Sequence, residues 1–393
     1  MLHIVQVGNY LTDPSSGVAK KTFGLVRALR AAGCKVEVHA VVDLQQHPSA
    51  EDVKDVHFTF CDRRDRATAL ESVLADSTSS NDMVLLRYPW ASEAMLSVVN
   101  SYGGRIVFEH NTDEEAEALL LQREHLQRSS ASFSLSYLRY WFRTRCLQRT
   151  EESEYGPHML QAVRGGICMT EELSRRQRAR FATYKTTVIA NGCEMAAAVD
   201  KHFQTLNDEL RVIMLIGAPA PWHGLDRAIE GLKNVHEWDA RIRLDVIGVD
   251  SPEEKMSDSR TEVRYLGRLS DDEIERRLSE YHLGIGTLAL HRKGMREACP
   301  LKVRQCLAAG IPMVLAYSDT DISEDSALRR FTHHLEADDS PVDWGGVVAF
   351  YRQLCASSNS REQLLEAVQA SMSVESKAQQ MILFFESLGF KTR

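Results

Sequence analysis

Residues 296–312 read REACPLKVRQCLAAGIP and gather Glu297, Lys302 and Gln305 around a proline that can open a helix. Pro300 suits the first helical turn, where a missing N–H is no loss. Val303, Cys306 and Leu307 form a buried stripe, and Gly310 followed by Ile-Pro ends the helix. Lys302 and Gln305 lie three apart and share the opposite face near the N-terminus, with Glu297 in the loop before it. Helix-start amides with a lysine can hold a phosphate, while Glu297 and Gln305 can accept hydrogen bonds from hydroxyls. That combination is the chemistry of a nucleotide-sugar pocket.

Three other stretches carry unusual residue types. In SSGVAK (15–20), small residues precede a helix, which suits either an anion or a plain serine N-cap. The full GxGxxG of a dinucleotide site is absent. In GAPAPWHG (217–224), Gly217 closes a strand and Gly224 stands near a helix start. Two prolines stiffen that loop, and His223 can donate to a phosphate or cap the helix. EHNTDEE (109–115) sets Glu109 and His110 at a strand end, where the histidine can serve as base, donor or cap. The acidic run after it reads as the first turn of a helix.

The elements that must position these residues alternate. Apolar runs at 2–8, 35–42, 56–60, 82–87, 104–110, 163–169 and 186–190 are separated by helical patterns, beginning with Val18 to Ala32. The pattern restarts after 209, with strands at 210–217, 241–248, 263–267, 283–288 and 312–316. Helices without strands fill roughly 343–390. Strand–helix alternation with near-continuous apolar strands predicts parallel sheets covered on both faces. A chain of 393 residues is too long for one ordinary core. We expect domains at 1–195 and 196–375, with 376–393 as a helix crossing back to the first.

Composition narrows the class. Hydrophobic residues make up 44% and charged residues 26%, as in soluble globular proteins. No run is long enough to span a membrane, and MLHIVQVG reads as a strand rather than a leader, so the cytoplasm is the default location. The 8 cysteines show no CxxC pair and no zinc spacing, so they are expected as reduced thiols with no structural metal. Residues 1–193 balance 23 basic against 23 acidic side chains, and the remainder of the chain holds the whole net charge of −8. Overall acidity argues against general nucleic-acid binding.

Taken in order, the segments VGNYLTDPSSGVAKKTFGLVRALRAAGCKVEV, FEHNTDEE, GICMTEEL, VIANGCE, GAPAPWHGLDRAI, YLGRLSDDEIERRL and EACPLKVRQCLAAGIPMV are informative. Together they resemble the retaining glycosyltransferases of family 4. The resemblance implies a GT-B fold, two Rossmann-like doubly wound parallel-sheet domains facing across a cleft. It also implies a nucleotide-diphosphate sugar donor of UDP or GDP type on the C-terminal domain, an acceptor on the N-terminal domain, and no divalent ion or other cofactor.

Glu297 matches the first glutamate of the family's paired motif, which contacts donor-sugar hydroxyls, and Gln305 falls where the second binds ribose. His110 matches the histidine near the reacting sugar, giving Glu297 and His110 as the expected catalytic pair. Gly17, Gly217 and Gly224 match glycines around the diphosphate, and Arg268 falls in the segment bordering the base. Cys299, Pro300, Leu301 and Lys302, with His223, complete the expected donor set. One departure is chemical. The arginine and lysine usual in the diphosphate loop are replaced by Ala218 and His223, leaving His223, Arg292, Lys293, Arg296 and Lys302 as candidates to supply the charge.

The resemblance also implies a glycan or lipid-linked acceptor. Arginines and aromatics interleave at 121–150, and a second basic cluster occupies 175–185. Such surfaces can lie on anionic headgroups, placing the protein on the inner face of the plasma membrane, or can be an ordinary solvated helix. Two other readings stand beside the transferase: a non-catalytic GT-B protein binding a glycan or a glycosyltransferase partner, suggested by Gln305, and a nucleotide-sugar epimerase.

Overall fold

The computed structural model describes residues 1–391 except 15, 45–54, 78, 80, 114–134, 196–202, 207–208, 218, 236–240, 251–255, 258–259 and 358–359, with the backbone alone along 135–148. Contacts divide the chain into two compact units, one holding most of the chain up to Ala190 together with Lys377–Arg393, the other Asn191–Ser376.

The first unit is a seven-stranded sheet in the order β3-β2-β1-β4-β5-β6-β7. Its strands are β1 (Leu2–Val7), β2 (Val36–Asp43), β3 (Val56–Cys61), β4 (Met83–Arg87), β5 (Ile106–His110), β6 (Gly165–Cys168) and β7 (Thr186–Val188). Every pairing is parallel. Valine, isoleucine and leucine fill the central strands because helices cover both faces. Val5, Leu70, Val84, Leu86, Val99, Phe108 and Leu160 form the core on one face.

The second unit repeats the plan with β8 (Glu209–Leu215), β9 (Arg241–Ile247), β10 (Thr261–Tyr265), β11 (Leu283–Ile285), β13 (Met313–Leu315) and β15 (Thr332–His334), ordered β10-β9-β8-β11-β13-β15 and parallel throughout. Its core joins Val212, Met214, Leu244 and Val246 to Trp344 and Tyr351. In both sheets the first strand is central and the strand order reverses beside it. Loops leaving that strand therefore open where α/β sheets bind ligands, beyond the carboxyl ends.

Three short strands, β15 among them, were not foreseen. β12 (Glu297–Ala298) pairs in parallel with β14 (Ser318–Asp319), so Glu297 sits on a short strand rather than in an open loop. Pro300 is the N-cap of the helix Leu301–Ala308, with φ −65° and ψ 135°, and thus precedes the first turn instead of occupying it. The extended ψ lets the chain pass from the strand pair straight into the helix.

The seven described cysteines are free, and all but Cys355 are buried. Among the described residues no helix is long and apolar enough to cross a membrane.

Candidate active site

In the second unit, the loop after β8 and the helix Leu301–Ala308 converge. A Cβ built on Gly217 would stand 3.0 Å from Lys302 Nζ, so the ammonium lies against bare backbone just beyond the sheet's first strand. Burial lowers the Lys302 pKa to about 8, with Cys306 opposing weakly. Among the described residues no carboxylate pairs with this lysine. A desolvated cation of this kind is incomplete without an anion. The helix it begins has no side-chain cap, so its first amides remain available on the same side.

Gly224 holds the other end of the loop. Its φ of 68° is left-handed, and a Cβ would stand 2.7 Å from Leu288 Cβ, so only glycine fits there. Leu288 and Ala289 amides donate to the carbonyls of His223 (3.0 Å) and Trp222 (3.0 Å), docking the short 3-10 turn Pro221–His223 onto the chain after β11. His223 ends that turn, half-buried, its ring 5.9 Å from that of Trp222. Arg268 follows Gly267 past the end of β10 and is exposed.

Two of the other candidate cations have partners of their own. Arg292 forms a two-pronged pair with Asp226 (3.0 and 2.7 Å) and also meets Asp339 (2.7 Å). Lys293 lies over the Trp222 ring at 5.0 Å. Lys302 is the candidate whose ammonium lies against Gly217.

Sequence reasoning missed what holds this segment. Arg304, fully buried one turn into the helix, pairs with Asp319 on β14 and with Asp321 (2.9 Å). Its Nε donates to the Asn191 carbonyl (3.2 Å), and Asn191 Nδ2 donates to the Cys299 carbonyl (2.8 Å). This network ties the β12–β14 pair, and hence Glu297, to the helix start carrying Cys299, Pro300 and Leu301. Gln305, half-buried, follows Arg304. An arginine at an otherwise apolar helical position was the available signal.

In the first unit, Gly17 opens the helix Gly17–Ala31, whose cap is Ser16, accepting from the Ala19 amide at 3.2 Å. At the carboxyl end of β5, His110 and its neighbours line a cavity of about 360 Å³ with Tyr88, Trp90, Asp113, Glu152 and Arg180. His110 Nε2 lies 3.0 Å from the Tyr184 hydroxyl. Burial first, and Arg180 second, push its pKa down to about 3, with Glu109 opposing, so it stays neutral. It is a hydrogen-bonding group here rather than an imidazolium.

Glu152 accepts from the Tyr88 hydroxyl (2.6 Å), the Ala91 amide (2.9 Å) and Arg180 (2.7 Å), which fixes the cavity wall. Beside it Lys21 reaches Glu109 (2.8 Å) and Asn111 (2.6 Å). Burial opposes charge on Glu109, but Lys21, ahead of Arg87, outweighs it and the carboxyl is held below its usual range. None of Lys21, Arg87, Glu152 or Arg180 was singled out beforehand, because they converge only through the fold.

Within the basic cluster at 175–185, Arg175, Arg178 and Lys185 are exposed, and three arginines have acidic partners. Arg176 pairs with Asp113 and Glu172, Arg178 with Glu171, and Arg180 with Glu152. Of the other stretch in the membrane expectation, 121–134 lies outside the described residues and 135–148 is described by its backbone alone.

Two parallel-sheet Rossmann-like units of this kind define a GT-B fold. No family model matches the sequence, and no curated protein matches it either. Solved structures do match along nearly the whole chain. A glycosyltransferase from Rickettsia africae ESF-5 is 10% identical over 98% of both chains, with a TM-score of 0.60. The lipopolysaccharide outer core galactosyltransferase WaaB, in its apo form, is 9% identical over 98% of this chain and 99% of its own, with a TM-score of 0.59. An alpha-glucosyltransferase in complex with UDP and a 13-mer DNA containing a HMU base is 11% identical over 99% of both, with a TM-score of 0.59.

Proposed function

We propose that the protein is a retaining, metal-independent glycosyltransferase similar to those of family 4. It would move a hexosyl unit from a nucleoside-diphosphate sugar to a polysaccharide, glycolipid or lipid-linked acceptor. The observation that carries this reading is Lys302, a half-buried ammonium against Gly217 at the switch point of the second sheet, with no carboxylate partner among the described residues. Glycosyltransferase structures with the same fold, one of them described with UDP, support the reading.

Each residue has a task on this reading. Lys302 and the uncapped helix start receive the diphosphate and stabilise the charge that grows as the glycosidic C–O bond breaks. Glu297 accepts from donor-sugar hydroxyls and steadies positive charge at the anomeric carbon. Gln305 holds the ribose through its amide. An acceptor hydroxyl attacks from the face the diphosphate leaves, and a departing phosphate oxygen takes its proton, so configuration is kept without a protein nucleophile. Neutral His110 and the polar cavity around it hold acceptor or sugar hydroxyls.

The test is to incubate the chain with UDP- and GDP-hexoses and follow release of nucleoside diphosphate. Slow hydrolysis of one donor, accelerated by an acceptor glycan, is the expected result. No release from any donor would contradict it.

A further inference from the structure

At the amino-terminal edge of the first sheet, away from the carboxyl ends, three side chains meet that the transferase chemistry does not use. His3 on β1 is in register with Glu37 on β2, and His39 follows two residues on, so all three project from one face. His3 Nδ1 lies 3.1 Å from His39 Nε2 and 3.5 Å from Glu37 Oε2, and His39 Nε2 lies 3.6 Å from that oxygen. Zinc bonds of about 2.0–2.1 Å to three corners of a tetrahedron need edges of about 3.3–3.4 Å. The three distances bracket that value.

The surroundings fit a metal better than a simple polar contact. Both histidines are buried, at 0% and 2% exposure, while the Glu37 side chain is 40% exposed and leaves a side open to solvent. His3 Nε2 is buried without a hydrogen-bond partner among the described residues, yet faces Asp82 Oδ2 at 3.4 Å. Coordination through Nδ1 would fix the tautomer with the proton on Nε2, directed at Asp82. That is the usual carboxylate support behind a ligating histidine. The His39 ring stacks on His57 with centroids 5.1 Å apart, which holds its plane.

We propose that His3, Glu37 and His39 form a zinc-type divalent-cation site, with Asp82 orienting His3 and water in the fourth position. Its place away from the carboxyl ends of the strands makes it a clamp between β1 and β2 rather than part of transfer chemistry. Spacing alone does not show it: the histidines are 36 residues apart and meet only through strand register.

The full chain, stripped with chelator and dialysed, would be titrated with Zn²⁺ by calorimetry and with Co²⁺ by visible absorption. One saturable ion per chain, with the intense d–d bands of four-coordinate cobalt and a raised melting temperature, is expected. Glu37→Gln, at a half-exposed position that leaves the core intact, should abolish the bands, and Asp82→Asn should weaken Zn²⁺ binding about ten- to hundredfold. Absence of saturable uptake, octahedral-type cobalt spectra, or uptake unchanged in Glu37→Gln would each overturn the proposal. These readouts need no donor sugar, so failure of the transferase reading leaves them standing.

Discussion

Lys302 Nζ lies 3.0 Å from the place a Cβ would take on Gly217, and burial holds its pKa at about 8. The sign of the pH dependence follows. Below about 8 the ammonium is charged and attracts a diphosphate; above it the amine is neutral and the attraction is lost. Affinity for the nucleoside diphosphate should therefore fall as pH rises from 7 to 9, measured by titration at each pH. A profile as steep in Lys302→Met as in the wild type would assign the effect elsewhere.

Gln305 offers an amide where the resemblance expects a carboxylate. The neutral group makes a weaker bond to ribose than a charge-assisted one. Gln305→Glu should tighten nucleotide binding about fivefold with little change in turnover. Weaker binding in that variant would remove Gln305 from the ribose.

Glu297→Gln should lower turnover by on the order of a hundredfold while nucleotide affinity stays near that of the wild type. The side chain meets the sugar on this reading, not the diphosphate. Unchanged turnover would sink the role.

His110 is held neutral, with its pKa lowered to about 3 by burial and then Arg180. Its proton is gained only below that value, so the pH–rate curve between pH 5 and 8 should show no step near the ordinary imidazole value. A step near 6.5 that disappears in His110→Gln would contradict the neutral assignment.

Most strands were legible because both faces of each sheet are covered, giving apolar runs such as IVFEH and RVIML that need no partner to be recognised. β12, β14 and β15 were not, since two- and three-residue strands depend on their neighbours for definition. At the site, Glu297, Lys302 and the loop glycines were visible through a proline, a helix stripe and a loop. Arg304 was hidden because its partners Asp319 and Asp321 are 15 and 17 residues away and meet it only when β14 forms. The cavity around His110 was hidden for the same reason: Glu152 and Arg180 come from separate helices and converge on Tyr88. The choice of Lys302 over Arg292 as the proposed diphosphate cation likewise needed the fold, which pairs Arg292 with Asp226.

The most direct measurement is calorimetric titration of UDP and GDP into the wild type and Lys302→Met. A lysine whose folded pKa is depressed adds stability as pH rises from about 8 toward its ordinary value and opposes folding below. The methionine variant should therefore melt no earlier than the wild type at pH 7. The account predicts saturable binding of one of the two nucleotides to the wild type and about ten- to hundredfold weaker binding to the variant. Equal affinity in the two proteins, or no binding of either nucleotide to the wild type, would contradict it.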